Sequence, residues 1–417
     1  MGDSTSDFPL SCTVAVVGSG PSGLALAIEL KRQGIEHVVV LEREAQAGGV
    51  PRHCGHYPFG LREHTRLLTG PDYANTNVAA AINVGVDIRT HASVIAIHQG
   101  GQLSITTPAG LQELQAERVV LCTGVRESTR AQRLIGGDRP TGVVSTGALQ
   151  SLVYLQGMRP FKTPVILGSE LVSFSAISTC RHVGIKPVAM VEELERIVTH
   201  RVLQPYLALQ GVSLHVSASS LKIVGRKQVE ALEYIDIKGA TQHIECDGVI
   251  ISGRFRPEAS LLQQSHLELD AGTGGPVVDQ FGQCSDPAYF SAGNLLRPAE
   301  SAGWCWQEGK MTAQRIVYDL ASQHRPVSAH VKLVSVDPAI RFVLPQRLSL
   351  TDRSGGMKSM QIGLQEPVTG YIRAVVDGQQ VWRERLQSRP VRRIQKPLSS
   401  IIRRHPKTDV TLSIERT

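Results

Sequence analysis

Three glycines, Gly18, Gly20 and Gly23, stand at the spacing G-x-G-x-x-G, and Glu42 follows 24 residues after the first of them. Glycine at the first position permits a tight turn, at the second lets a diphosphate approach the backbone, and at the third lets a helix pack closely on a strand. Pro21 and Ser22 lie between them, at the start of a helix whose free N–H groups attract phosphate. Glu42 sits where an acid takes the adenosine ribose hydroxyls, with Arg43 beside it, and Gly49 of the pair Gly48-Gly49 offers a second close backbone approach. The chemistry implied is the holding of a dinucleotide. Just beyond, His53, Cys54 and His56 gather a thiol and two imidazoles within four residues, groups able to relay electrons or protons. The plainer reading, that they only pack the loop, stays open. Their spacing lacks the pattern of a metal site, and no metal is expected.

These residues need elements to position them. Val14 to Val17 reads as one buried parallel strand, Leu24 to Lys31 as a helix broken at Gly34, and Val38 to Leu41 as a second strand. Tyr73 to Val84 reads as a helix, and Val94 to His98 and Leu103 to Thr107 as strands around Gly100-Gly101. Val119 to Leu121 returns a strand expected to rejoin the first sheet, which lays Thr123-Gly124 against the adenosine half.

The opening unit then recurs. Val165 to Leu167 is a strand, Phe174 to His182 can be helical, and Val188 to Val191 is a strand ending on Glu192, again 24 residues past the leading Gly168. Glu170 and Ser173 replace the second and third glycines. A carboxylate where a diphosphate should approach is electrostatically hostile, so the reading is an inherited fold with a weakened or lost nicotinamide site. NAD(P) is therefore doubtful, and the alternative, that Glu170 points elsewhere, stays open. Gly248 to Ser252 closes this second unit, and Glu300 to Leu320 reads as a helix carrying Trp304 and Trp306 on different faces. From His330 on, short alternating runs flank Asp377-Gly378, a hairpin signal within an all-β appendage.

Composition narrows the class. No apolar run approaches the roughly 20 residues that span a bilayer, and the first residues lack the basic and apolar regions of a secretory signal. Gly2 and Ser6 match only a loose myristoylation pattern. Seven scattered cysteines with no C-x-x-C pair point to reduced thiols, a cytoplasmic setting and no closely spaced iron–sulfur site. The net charge of +7 is concentrated: from His330 onward 16 Lys and Arg face 7 Asp and Glu, a net of +9, and the remainder nets −2. Arg392-Arg393, Lys396 and Arg403-Arg404 lack interleaved aromatics, which disfavours nucleic acid and favours an acidic partner, peripheral contact with anionic lipid or a solvated face.

The first fingerprint, Thr123-Gly124, the Gly168 block, and Val278-Asp279 leading to Phe290-Ser291-Ala292-Gly293-Asn294 together resemble the two-dinucleotide-domain flavoprotein superfamily over about residues 13 to 320. The resemblance implies an α/β fold of two interleaved Rossmann-like domains, with FAD held by residues 1–140 and 253–329. It implies a second, degenerate domain over 141–252, and a small basic β domain fills 330–417. It also implies that Gly293 and Asn294 reach the ribityl and flavin and that a helix N-terminus near Gly303 faces the pyrimidine end. Gly49 to His56, Val125 to Glu127 and Gly136 to Pro140 look closest to the α subunits of opine, D-hydroxyproline and hydrogen-cyanide-forming dehydrogenases. That implies an FAD-dependent oxidoreductase, the electron-transferring member of a hetero-oligomer. Its partner would be an FAD subunit of amino-acid-oxidase type that oxidises a small molecule. A self-sufficient NAD(P)H-dependent flavin reductase and a non-catalytic flavin-bearing scaffold are the alternatives.

Overall fold

The computed structural model describes residues 8–322, 330–350, 356–388 and 393–416. Gly2, Ser6 and Arg392 lie outside them. The described chain forms two compact units: Met1–Gly49, Ala74–Val125 and Pro257–Thr417 make the first, and Val50–Tyr73 with Arg126–Arg256 make the second.

The first unit is built on the strand Ser11–Val17, which lies parallel between Val38–Leu41 and Gly110–Leu121. Asp87–Arg89 extends the sheet on one side, Gln102–Thr107 and Ser93–Ile97 add antiparallel strands on the other, and Tyr289–Ser291 joins alongside Gly110–Leu121. Successive side chains on a strand face opposite ways, so both faces need apolar residues when both are covered. Val14, Val16, Val38, Val40 and Val120 pack under the helices Pro21–Arg32 and Ala302–Ala321. Ala15, Val17, Val39, Leu41 and Val119 pack on the opposite face with Leu103 and Ile105. That two-sided burial is why the strands read as unbroken apolar runs.

The expected elements appear with shifts at their ends: Gly70–Asn83 and Ala302–Ala321 are helices, and Ser93–Ile97 and Gln102–Thr107 pair antiparallel. Trp306 is buried in the core while Trp304 is partly exposed, as their spacing required.

The second unit repeats the plan. Val165–Leu167 lies parallel between Ala189–Val191 and Val249–Ile251, with Ser213–His215 and Val143–Ser145 at the borders. The repetition extends to individual bonds. Ser19 Oγ donates to Glu42, and 150 residues on Ser169 Oγ donates to Glu192. The other carboxylate oxygen accepts the Glu44 N–H at 2.9 Å in one and the Leu194 N–H at 3.0 Å in the other. Gly48 N–H donates to Ser19 Oγ, and Val198 N–H to Ser169 Oγ.

The C-terminal residues are β-rich, as the alternation required. A five-stranded sheet runs Arg347–Ser349, His330–Ser335, Val410–Arg416, Val368–Val376, Gln379–Ser388, and Ile340–Leu344, Ser359–Leu364 and Ile394–Pro397 form a three-stranded one. The hairpin turns at Asp377-Gly378, both with positive φ (48° and 78°), which suits a two-residue turn. This region has its own apolar cluster and belongs to the first unit. Several of its cations are paired within that unit: Arg373 and Arg383 with Glu415, Lys396 with Glu384, Arg416 with Glu366, and Arg393 with Glu300.

The attachment centres on Arg297, one of the largest fully buried side chains among the described residues. Its guanidinium pairs with Glu308, donates to the Gly293 carbonyl at 3.0 Å, and reaches Gln361 Oε1 at 2.9 Å. Removing one member of a buried pair strands the other's charge. Glu308→Gln is expected to lower unfolding free energy by about 3–5 kcal/mol, read by urea denaturation with flavin release followed in parallel.

Candidate functional site

The glycine turn after Ser11–Val17 is shaped around its missing side chains. Gly18 has φ 104°, and a Cβ there would lie 2.6 Å from the Cys122 carbonyl oxygen. One on Gly23 would lie 2.0 Å from the Gly18 oxygen, so the helix start can meet the strand only through glycine. Gly49, φ 65°, brings its Cα side against Gly20: a Cβ would come 2.7 Å from Gly20 Cα. Added Cβ atoms on Gly20 and Gly124 would meet no described atom within 4 Å. The turn is therefore closed where it packs and open at Gly20 and Gly124, a cradle that suits a diphosphate.

Pro21 opens the helix Pro21–Arg32, and Gly20, its N-cap, contributes no side-chain cap. Ser22 is buried beneath Gly293, where a Cβ would lie 2.5 Å from Ser22 Oγ. A Cβ on Gly309 would likewise lie 2.2 Å from the Ser22 carbonyl oxygen, so the two helices converge on this serine. Glu42 is buried and tied to Ser19 and Glu44: Oε2 accepts both Ser19 N–H and Ser19 Oγ, while Oε1 accepts only the Glu44 N–H and retains a lone pair for a ribose. Arg43 is exposed and lies 3.7 Å from Glu44.

Thr123 and Gly124 follow the end of Gly110–Leu121 and are fixed by Glu258, through Thr123 Oγ1 to its carbonyl and its N–H to the Gly124 carbonyl. Asn294 uses its amide on the backbone of Glu300, accepting its N–H at 2.6 Å and donating to its carbonyl at 3.2 Å. It thus shapes the loop that leads to Gly303, which lies buried in the first turn of Ala302–Ala321.

The first unit thus brings together Gly18, Gly20, Pro21, Ser22, Gly23, Glu42, Arg43, Gly49, Thr123, Gly124, Gly293, Asn294 and Gly303. His53, Cys54 and His56 fall in the second. Cys54 is buried; its thiol donates to the Val50 carbonyl at 3.5 Å and Gln150 Oε1 at 3.6 Å. Burial, and then the Glu127 carboxylate, push this thiol up to about 12. A reactive thiolate is disfavoured there, which works against the redox role expected of it. Burial, and then Arg52, bring His53 down to about 4, so its imidazole is neutral at neutral pH, and its Nε2 is buried without a hydrogen-bond partner. His56 bonds through Nδ1 to the Tyr57 carbonyl at 3.0 Å and its ring packs near Phe59.

Sequence reasoning missed Arg297 and Glu308, which lock the Gly293 turn from beneath, and Cys122 and Cys305, buried thiols also pushed up to about 12. A lone arginine in the otherwise uncharged stretch Phe290 to Pro298 was the available signal.

A family model described as pyridine nucleotide-disulphide oxidoreductase matches residues 12–315. The chain belongs to that family. Members bind FAD and use NAD(P)H in oxidation–reduction chemistry, and the first unit's cradle fits FAD on the geometry above. The chain is similar to the alpha subunit of sarcosine oxidase from Rhizobium meliloti, 26% identical over 80% of this chain and 33% of that protein. It is also similar to the A subunit of opine oxidase from Agrobacterium tumefaciens, 24% identical over 67% of this chain and 60% of that one. It therefore spans less than two thirds of either curated relative. Among solved structures, T. acidophilum thioredoxin reductase matches with a TM-score of 0.63 at 23% identity, over 75% of this chain and all of that one. That likeness shows a shared fold.

Two outcomes follow from this geometry. Gly49→Ala, forced to positive φ and against Gly20, is expected to weaken FAD retention by about tenfold or more, measured by flavin absorbance after gel filtration. Cys54, buried and with its thiol pushed up, is expected to resist iodoacetamide until the protein unfolds, and mass spectrometry of native and denatured samples reads this directly.

Proposed function

We propose that this chain is the FAD-binding, electron-transferring subunit of a heteromeric dehydrogenase for an amino or hydroxy acid. Gly18, Gly20, Gly23 and Gly49 would hold the diphosphate, Glu42 the ribose, and the Gly293 turn with the start of Ala302–Ala321 the flavin end. A bound flavin supplies uptake of an electron pair and its stepwise release. The chain's own part is to seat it and to set its charge environment, since a helix N-terminus favours the negative charge of the reduced ring.

The observation that carries the reading is the state of the cysteines. All seven are free and buried, and burial raises every one of their thiols. Dithiol exchange, the route that a disulfide reductase uses to pass electrons on, has no reactive thiolate to begin from. Electrons held here would instead leave directly to another carrier. The sarcosine and opine oxidase relatives are themselves called subunits, which supports a partner as the site of substrate oxidation. The partner would remove two electrons and two protons from the acid, and this chain would relay the electrons.

The test is to purify the native complex and the isolated chain, then supply amino and hydroxy acids with an artificial electron acceptor under anaerobic conditions. Turnover is expected from the complex and none from the chain alone, with Cys54→Ser retaining the complex's rate within about twofold. Equal turnover by the isolated chain, or none by a complex that retains its flavin, would refute the proposal.

A further inference from the structure

The two units share their bonding at positions 150 apart, so the places where they differ are informative. Gly20 faces open space; its counterpart is Glu170, whose carboxylate turns across the crevice. Glu170 Oε1 accepts the Arg254 N–H at 2.6 Å, and the carboxyl carbon lies 2.5 Å from where a Cβ on Gly253 would be. Gly253, φ 77°, is thus a glycine that makes room for a side chain of the same unit.

The loop beneath is matched as well. A Cβ on Gly18 would lie 2.6 Å from the Cys122 oxygen, and one on Gly168 would lie 2.6 Å from the Ser252 oxygen. Cys122-Thr123-Gly124 in the first unit therefore corresponds to Ser252-Gly253-Arg254 in the second. Gly124, φ 77°, borders open space, whereas Arg254 holds a left-handed φ of 50° that costs a non-glycine residue strain. It is kept there from several sides: Ser128 N–H and Oγ donate to its carbonyl, Glu170 takes its N–H, and its guanidinium meets Glu193 at 2.7 Å. The buried Arg133 completes the plug, donating to the carbonyls of Leu167 and Ser252 at 3.0 and 3.2 Å and to Glu193 at 2.8 Å. Glu127 takes the Gly253 N–H at 2.9 Å and the Gly147 N–H at 2.8 Å.

We propose that Glu170 closes the second dinucleotide crevice, its carboxylate standing where a diphosphate would pass, so that this chain does not bind NADH or NADPH. The N–H groups of Gly253 and Arg254, which border the crevice, are taken by Glu127 and Glu170. The cations Arg133 and Arg254 are both engaged by Glu193, so among these groups an incoming dianion is crowded and finds no free positive charge. Burial raises both Glu127 and Glu170, as befits groups enclosed by protein. A cavity of about 340 Å³ lined by Glu195, Arg196, Ile197, Gln204, Leu214 and Val216 remains beyond the ends of Ala189–Val191 and Ser213–His215. The obstruction is therefore local to the diphosphate passage. The inference is independent of the substrate proposed above.

The FAD-loaded wild-type protein, titrated with NADH and NADPH, is expected to show no saturable heat in calorimetry at millimolar nucleotide and no anaerobic bleaching of its flavin. Glu170→Gly is expected to bind NADH at least about tenfold more tightly, and Glu170→Gln to gain less because the bulk remains. Micromolar binding by the wild type would overturn the proposal, and that measurement needs no variant. No gain in a Glu170→Gly protein that keeps its flavin and its melting temperature would overturn the assignment of Glu170 as the block.

Discussion

A single buried guanidinium sets the terms for the first unit. Arg297 has no water to solvate it, so its charge must be met by Glu308 and its remaining donors by the Gly293 carbonyl and Gln361. Those partners come from a strand-end turn, a long helix and the C-terminal β region. None can move far without exposing an uncompensated charge in a low-dielectric interior. The turn proposed to meet the flavin and the basic β region are thereby mechanically one piece. Gln280 adds to this, exchanging bonds with both N–H and carbonyl of Ser349.

The second constraint is geometric. A strand leading through a tight turn into a helix leaves open N–H groups at the turn, and these must be satisfied by something. The two units answer differently with the same backbone. In the first, glycine leaves the turn open to an outside ligand. In the second, Glu170 stands at the matching place and takes the Arg254 N–H, while Glu127 takes that of Gly253. The Ser–Glu bonds at the ends of the second strands persist in both because they hold the fold itself.

Much of this was legible in the sequence because it is local. The glycine fingerprint, the 24-residue interval to an acid, the Asp377-Gly378 hairpin and the apolar strand runs each depend on neighbours in the chain, and the structure contains them. The substitution at Glu170 was visible too, but its partners Gly253 and Arg254 lie more than eighty residues away. Arg297 was overlooked for the same reason, since Gln361 is 64 residues downstream and the acid nearest in sequence, Glu300, pairs with Arg393, while Glu308 takes Arg297. For Cys54 the sequence left a redox role and plain packing both open, and burial and Glu127, both set by tertiary packing, push its thiol up and favour packing. The charge of the tail was correct as a sum, yet several of those cations are spent on acids of the same unit.

The concealment of every sulfur has a further consequence. A reduced flavin exposed to air generates hydrogen peroxide beside the polypeptide that carries it. Peroxide attacks thiolates first, and the damage climbs from sulfenic to irreversible sulfinic and sulfonic acids. Seven cysteines shielded from solvent and held as thiols give that oxidant little to attack.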